Sequence, residues 1–586
     1  MSNREYPIFT IKNDCQDCYK CVRQCPVKAI KIEDNSAQIV PELCVACGRC
    51  YMVCPVKAKQ DRDDVARAKK MIANGERVYV SLAPSWVAEF NNLTKEQLLT
   101  AIKMLGFEGV AETALGAEEV SAHIADFLNN KKDGVYLSTA CPSFVEYINK
   151  YQPELNANLI PVMSPVLAHC KMMHSQFGKD IKIVFVGPCI AKKIEADRNS
   201  DLLNLSISFR DLRRWLRESG INYHNLEPIK NIDFVQKHAS KGRYYPIEGG
   251  MIETIKHYGK TDSVYMMQIT GLDNIKRELS NISNQIHNRA VFIECLACNG
   301  GCVNGPCTRQ QKSGFEKRVC VLNDVALEKD SKLSDKKEDI AKNYEIISVS
   351  KNSYDDEQIK HVLEILGKST IDDEINCNGC GYDNCRNFAK AILEGKAEID
   401  MCVSHIKQRA QKKANALLKC IPSPIVIVNS KLSIVEYNEH FVQAFWRDEE
   451  HADLYDHDNL IGANLRDFIS FTNLFSASLD LGEDVKRENI KQNNRVYDVM
   501  IFNIESKQIV GGVIEDVTKV EIKREKIAEK AREVIEKNLA TVQQIACTLG
   551  EHMAETEVLL RSIAKDYSSE VNDRPNITIR NKKGKN

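Results

Sequence analysis

The sequence predicts a multidomain protein of mixed α/β and α+β class, and three observations predict it. A chain of 586 residues, at roughly 100–200 residues per domain, implies about four domains rather than one large fold. Helical and strand-like segments alternate from about 61 to 365, with apolar runs at Val78–Val80 and in IKIVFVG at 181–187. That is the pattern of an α/β domain whose site-bearing loops lie at strand ends. The third observation is 22 cysteines, too dilute for a disulfide scaffold, clustered at 15–54, at 377–402 and in three short motifs between 141 and 307. In a reducing compartment such clusters bind metal or do redox work. Lys and Arg (80) balance Asp and Glu (81) to a net charge of -1, so no basic excess points to nucleic acid. The opening MSNREYPIFTIKND lacks the apolar stretch of a secretory signal, and no apolar run approaches the roughly 20 residues of a membrane span. A soluble, cytoplasmic protein that binds neither nucleic acid nor membrane is expected.

Taken in order, residues 1–60 hold two copies of C-x2-C-x2-C-x3-C-P, CQDCYKCVRQCP at 15–26 and CVACGRCYMVCP at 44–55. In this spacing three thiolates surround one cubane and the fourth crosses to the other. Cys15, Cys18, Cys21 and Cys54 are therefore assigned to one [4Fe–4S] cluster, and Cys44, Cys47, Cys50 and Cys25 to its neighbour, in a ferredoxin-like domain. Zinc would be satisfied by two CxxC pairs and would not ask for the x3-C-P tail twice.

Residues 61–365 are expected to form the α/β domain. Three of its loops hold cysteine: STACPSF (138–144), VGPCIAKKIEADR (186–198) and IECLACNGGCVNGPC (293–307). Gly300, Gly301 and Gly305 are read as letting backbone approach a bulky inorganic group.

These three loops resemble the signature motifs of [FeFe]-hydrogenases. The active site of that family, the H-cluster, is a [4Fe–4S] cubane joined through one cysteine to a diiron unit carrying CO, CN⁻ and a dithiolate. The resemblance implies that Cys141, Cys189, Cys298 and Cys302 ligate the cubane, with Cys302 bridging to the diiron unit. It implies that Lys192 hydrogen-bonds a cyanide, a charge-assisted contact suited to a buried anion. Ser85 and Pro84 in the APSW stretch would line the same pocket, and Glu195 and Ser164 are retained near it.

The departures carry as much information. Productive members place a proton-passing cysteine just before the first ligand, and here that position is Ala140. General acid–base help at such a site is worth about 10²–10⁴-fold. Aligning GAEEVSAHIADFLNN (116–130) puts Ile124 and Phe127 where two relay glutamates stand, with His123 or Asp126 brought close by a small register shift. Ile160 replaces the relay serine. Gly187 and Leu296 stand where two methionines pack on the diiron unit, which alters the surroundings that tune potential and access. Cys307 is read either as a substitute proton donor or reserve ligand, or as a structural thiol.

Residues 366–404 contain CNGCGYDNC and a distal cysteine. The spacing of Cys377, Cys380, Cys385 and Cys402 suits a third [4Fe–4S] cluster and also admits zinc. The segment resembles an iron–sulfur module attached to sensory hydrogenases, which implies the cluster. A basic helical linker is expected at 405–416. Residues 417–520 resemble a PAS domain, opening with SPIVIVNSKLSIVEYNEHFVQAF and closing with VYDVMIFNIESKQIVGGVIEDVT; its ligand is not indicated. From 521 to 566, Ile535, Leu539, Val542, Ala546, Leu549 and Met553 step by 4 and 3, a seam for a two-stranded coiled coil and hence a homodimer. The tail 567–586 is polar and basic, a disordered composition.

Three functions compete. The first is a sensory [FeFe]-hydrogenase with slow, reversible H2 oxidation and proton reduction, signalling through its PAS and coiled-coil elements to a kinase or phosphatase and loaded by maturation proteins. The second is a metabolic hydrogenase exchanging electrons with ferredoxin. The third is a hydrogenase-like iron–sulfur protein without the diiron unit. Ala140 favours the first over the second; Lys192, Glu195 and the PAS segment favour it over the third. Cys170, Cys295, Cys307, Cys320, Cys420 and Cys547 are left without a required role.

Overall fold

The computed structural model describes residues 6–259, 263–280, 282, 289–309, 311–327, 338–347, 349, 352–446 and 459–567. The chain divides into two units, Met1–Lys407 and Gln408–Asn586.

In the first unit, the amino-terminal segment is closed by antiparallel pairing of its two ends, Ile8–Thr10 against Lys59–Asp61, around a hairpin of Ile30–Glu33 and Ser36–Ile39. The α/β part contains two parallel sheets. One has four strands in the order Gly109–Glu112, Val78–Leu82, Lys182–Gly187, Leu205–Ser208. The other has three, in the order Val264–Thr270, Ala290–Leu296, Val135–Leu137. Val78–Leu82 and Ala290–Leu296 are buried at every position, as parallel strands covered on both faces must be, which is why they read as continuous apolar runs. Helices begin directly after several of these strands. Pro142 and Pro165 sit in the first turns of Pro142–Tyr151 and Pro165–Phe177, where a missing N–H costs nothing.

The helix Asp356–Ile365, which the sequence grouped with the α/β domain, packs instead with the cysteine module that follows it. Ile359, Val362 and Leu363 join Phe388, Ala389 and Met401 in one core with Val22, Ala29 and Ile30 of the amino-terminal segment. A backbone hydrogen bond from Ile32 N to Lys396 O, 3.0 Å, ties the two together. The third cysteine module and the two-motif segment thus share a single core.

The second unit holds a five-stranded antiparallel sheet in the order Ile434–Tyr437, Ile425–Asn429, Ile509–Asp516, Arg495–Glu505, Val485–Gln492. Phe441, Phe445 and Phe475 pack on it. Asn438 caps the helix Glu439–Phe445 by accepting from Phe441 N and donates to Ser423 O at 2.9 Å. The helix Val403–Cys420 is longer than the linker expected at 405–416 and buries none of its residues. A 50-residue helix, Thr518–Tyr567, closes the described chain. Along it Ile535, Leu539, Val542, Leu549 and Met553 are all exposed. The tail, 568–586, lies outside the described residues.

Candidate metal centres

The three loops that carry the central cysteines leave the carboxyl ends of parallel strands, where open α/β sheets build their sites. Cys141 follows Val135–Leu137 and caps Pro142–Tyr151; Cys189 follows Lys182–Gly187 and precedes Ala191–Arg198. Cys298 follows Ala290–Leu296, and Cys302 opens a short 3-10 turn, Cys302–Asn304. All four line one cavity, shared with Pro84, Ser85, Ala140, Lys192 and Leu296.

Burial pushes the Cys189 thiol up to about 11, with Cys141 adding to the effect and Lys192 opposing it. Burial likewise raises Cys141, Cys298 and Cys302. Thiols held this way need a cation to become ligands, and metal binding releases their protons. Lys192 Nζ donates to Ser164 Oγ at 3.2 Å and to Glu195 Oε2 at 2.6 Å, which fixes the ammonium at the wall of the cavity that Lys192 lines. Ser85 Oγ is buried there with no hydrogen-bond partner among the described residues, and an unpaired buried hydroxyl is costly unless something fills its site. Four converging thiols, a positioned cation and an orphaned hydroxyl fit an anionic iron–sulfur group. Among the described residues no three His, Cys, Asp or Glu side chains close on one point as a single ion requires; the thiols ring a space instead.

Several expected roles change. Gly187 does not line the cavity, because a Cβ there would lie 2.5 Å from the Phe185 ring and 3.0 Å from Ala83 Cβ. Phe185, two positions earlier on the same strand face, fills the space and reaches the cavity itself. Gly301 and Gly305 also serve loop packing, since a Cβ would meet Pro246 O at 2.5 Å and Pro188 O at 2.8 Å respectively, and Gly305 lines the cavity as well. Ser164 and Glu195 touch the site through Lys192 rather than by lining the cavity. Ile124 and Ile160 are fully buried in an apolar cluster with Phe127 against it. His123 pairs with Glu119 at 3.2 Å, and Asp126 is exposed, so neither reaches the cavity. Cys307 faces a different cleft, beside Cys54, Lys59 and Arg210, which removes it as a proton donor at the central cavity.

In the amino-terminal segment, Cys25 acts electrostatically on Cys44, Cys47 and Cys50. Cys21 feels Cys15 and Cys18, and burial pushes its thiol up to about 11. Cys54 lies near Lys59 in the side cleft. Cys47 also lines the central cavity, and a Cβ on Gly48 (φ +75°) would sit 2.6 Å from Pro306, so this loop presses on the central site. Helix Pro142–Tyr151 holds it there: Lys150 Nζ donates to Cys44 O at 2.8 Å and Tyr151 Oη to Leu43 O at 2.6 Å. In the third module Cys380 is acted on by Cys402 and Cys377, and Cys385 N donates to Asn376 Oδ1 at 2.8 Å. Gly381 (φ +93°) would place a Cβ 2.9 Å from Arg23 Cα, setting this module on the Cys18–Cys21 side of its neighbour.

Sequence reasoning missed Thr113 and Tyr245, which line the cavity, and Glu294, buried on the strand leading to Cys298. Thr113 and Tyr245 lie outside the cysteine motifs, whereas Glu294 lies within IECLACNGGCVNGPC, where the signal was a lone carboxylate in the apolar run AVFIECLA.

Comparison with known proteins bears on these centres. Residues 76–306, which include all four central cysteines, match the family "Iron only hydrogenase large subunit, C-terminal domain". The chain carries an [FeFe]-hydrogenase-like large-subunit domain. Residues 14–58 match a 4Fe-4S dicluster domain, and 373–404 match an Fe-S cluster family. Iron hydrogenase 1 of Clostridium pasteurianum is 26% identical over 300 residues, covering 42% of this chain and 52% of that protein. The match thus spans about half of that relative. The periplasmic [Fe] hydrogenase large subunit of Nitratidesulfovibrio vulgaris is 25% identical over 351 residues, covering 50% of this chain and 83% of that one. A solved [FeFe]-hydrogenase from Chlamydomonas reinhardtii superposes with a TM-score of 0.35 at 18% identity, over 44% of this chain and 88% of its own. No helix among the described residues is long and apolar enough to cross a membrane.

Proposed function

We propose that the chain is an H2 and redox sensor built on a slow [FeFe]-hydrogenase. The observation that carries this reading is Ala140: it lines a cavity that keeps four thiols and a positioned lysine, yet offers no proton-passing group where a productive site needs one. When bound, an H-cluster supplies reversible H2 cleavage and electron storage. Cys141, Cys189, Cys298 and Cys302 would hold its cubane, Lys192 would donate to an anionic diatomic ligand, and Glu195 and Ser164 keep that ammonium in place. Pro84, Ser85 and Leu296 shape the pocket wall. Clusters on Cys25, Cys44, Cys47 and Cys50, on Cys15, Cys18, Cys21 and Cys54, and on Cys377, Cys380, Cys385 and Cys402 would carry electrons to and from this site, the first through the Cys47–Gly48 loop that borders it.

The second unit fits the output side of a sensor. Its antiparallel sheet with helices packed on it suits a PAS domain, and the exposed seam of the long helix suits a homodimer that relays a change to a kinase or phosphatase. A bistable element biased by the charge of a cluster is what such a switch requires. A ferredoxin-type protein is the electron partner, and maturation proteins supply the diiron unit.

Infrared spectroscopy of the matured protein under argon, H2 and CO tests the reading. CO and CN⁻ bands that respond to H2, with turnover far below a productive hydrogenase, are expected. Bands accompanied by fast turnover would return the protein to hydrogen metabolism, and missing bands would make it an iron–sulfur protein without the diiron unit.

A further inference from the structure

A chain of polar side chains runs from the cavity wall towards the protein exterior. Thr113, at the junction of Gly109–Glu112 and Ala114–Asn129, lines the cavity. Its Oγ1 lies 2.7 Å from Ser81 Oγ on the central strand, and Ser81 Oγ lies 2.8 Å from His169 Nδ1 on helix Pro165–Phe177. His169 Nε2 is 2.7 Å from Gln236 Oε1, and Gln236 Nε2 donates to Gln176 Oε1 at 2.9 Å. Ser81 and His169 are 0% exposed, whereas Gln176 is at the surface.

The direction of these bonds follows from the outer end. Because its Nε2 donates to Gln176, Gln236 presents Oε1 to the imidazole, so His169 carries its proton on Nε2 and offers Nδ1 as an acceptor. Ser81 then donates to His169, Thr113 donates to Ser81, and the remaining lone pairs of Thr113 Oγ1 are left to accept from the cavity side. An amide does not pass protons readily, so Gln236 fixes the tautomer and His169 is the end of the line. The two helices approach closely enough for this because residue 116 is glycine: a Cβ there would lie 2.6 Å from His169 N and closer still to Pro165 O.

We propose that Thr113, Ser81 and His169 form a proton-holding branch of the cavity. A proton accepted by Thr113 Oγ1 from the cavity side displaces the threonine proton to Ser81 Oγ, and the serine proton to His169 Nδ1. The imidazole becomes an imidazolium, each hydroxyl ends with one proton, and no electron moves; the reverse sequence returns the proton. The inference rests on the reading of the cavity as an H2 site, where cleavage must leave a proton somewhere and Ala140 cannot take it.

Burial holds the His169 imidazole down at about 4, against a smaller pull upward from Gln236. The titratable groups on the elements packed around it are Cys170 and His174 on its own helix, Glu118 on the facing helix, Glu112 bound to Arg243, and Lys237 and His238 beside Gln236. None of them contributes to its shift, which burial and Gln236 set. At neutral pH the branch is therefore empty and fills only when the cavity delivers a strong acid, in keeping with a slow site.

The test uses the full chain loaded with its cofactor, as wild type, Thr113→Val, Thr113→Ser and His169→Gln. Two quantities are measured: HD formation from H2 in D2O, and the positions of the infrared CO and CN⁻ bands against pH. All four proteins are expected to show the bands. HD formation should fall about 10²-fold in Thr113→Val and His169→Gln and return to within about threefold of wild type in Thr113→Ser, which keeps the hydroxyl. The wild-type bands should shift as pH falls through the range in which His169 titrates, and that shift should vanish in Thr113→Val and His169→Gln. Bands with unchanged exchange and an unchanged pH profile in both of these variants would overturn the branch while leaving the H2 site standing. Absence of bands in wild type would overturn both.

Discussion

Glu294→Gln replaces a buried, proton-dependent carboxyl by a neutral group of the same shape. Glu294 is 0% exposed; Oε2 accepts from Ile252 N at 3.3 Å, and Oε1 has no hydrogen-bond partner among the described residues. Burial pushes its pKa up to about 7, although backbone N–H groups at the start of helix Gly250–Tyr258 pull the other way. The native carboxyl thus keeps its proton until about pH 7, while the unfolded chain releases it near 4.5. Between these values the unfolded state binds fewer protons, so stability is fullest below pH 4.5 and is lost as pH rises through 7. At 1.36 kcal/mol per pH unit the gap amounts to roughly 3 kcal/mol. With about 2 °C per kcal/mol for a large domain, wild type should lose about 6 °C relative to Glu294→Gln between pH 5 and 8. Thermal denaturation of both proteins at intervals across that range measures it. Parallel curves would refute the reasoning, because they would mean that Glu294 is ionised in the native state without penalty.

Three further outcomes follow from the same geometry. Gly116→Ala gains about 1 kcal/mol of helix propensity but forces a Cβ against the backbone of Pro165 and His169, an overpacking worth about 1–3 kcal/mol. The melting temperature should fall by a few degrees; a rise would show that the two helices separate at no cost. Ala140→Cys should raise H2 turnover by about tenfold at most, measured as methyl viologen reduction, because the expected relay positions hold the buried, apolar Ile124 and Ile160, which pass no proton on; a gain of a thousandfold would contradict that. Leu549→Glu places a charge in the exposed seam and should weaken self-association by at least about 10²-fold, near 3 kcal/mol, in sedimentation equilibrium. An unchanged dimer would move the interface away from this helix.

The two C-x2-C-x2-C-x3-C-P runs were legible because their spacing is a local property, whereas the three central loops, far apart in the chain, were recognised by their resemblance to a family. Strands such as Val78–Leu82 were legible for a similar reason, since burial on both faces leaves a continuous apolar run. Thr113, Ser81, His169 and Gln236 were not, because only the parallel order of the sheet and the crossing of two helices bring them together. Gly187 misled because the residue that fills its place, Phe185, lies two positions away on the same strand face. Gly301 and Gly305 were rightly seen as needing space: carbonyls of Pro246 and Pro188 lie where their Cβ atoms would be, and Gly305 also lines the central cavity. The docking of the third module on the first was invisible for want of any local pattern; it rests on apolar residues such as Phe388 and Val22, far apart in the chain.

That shared core has a consequence for how the protein is made. The amino-terminal segment pairs Ile32 with Lys396 and buries Val22 beside Phe388, so it stays unfinished until roughly 360 further residues have left the ribosome. At roughly 5–20 residues per second this is a wait on the order of 20–70 s. Throughout it, eight cysteines that end up close together are carried on a chain lacking part of its hydrophobic cover. Cluster delivery to the first segment must therefore either follow synthesis of the third module or protect the nascent thiols until that module arrives. The order of assembly is set by topology, with the first domain in the sequence among the last to be completed.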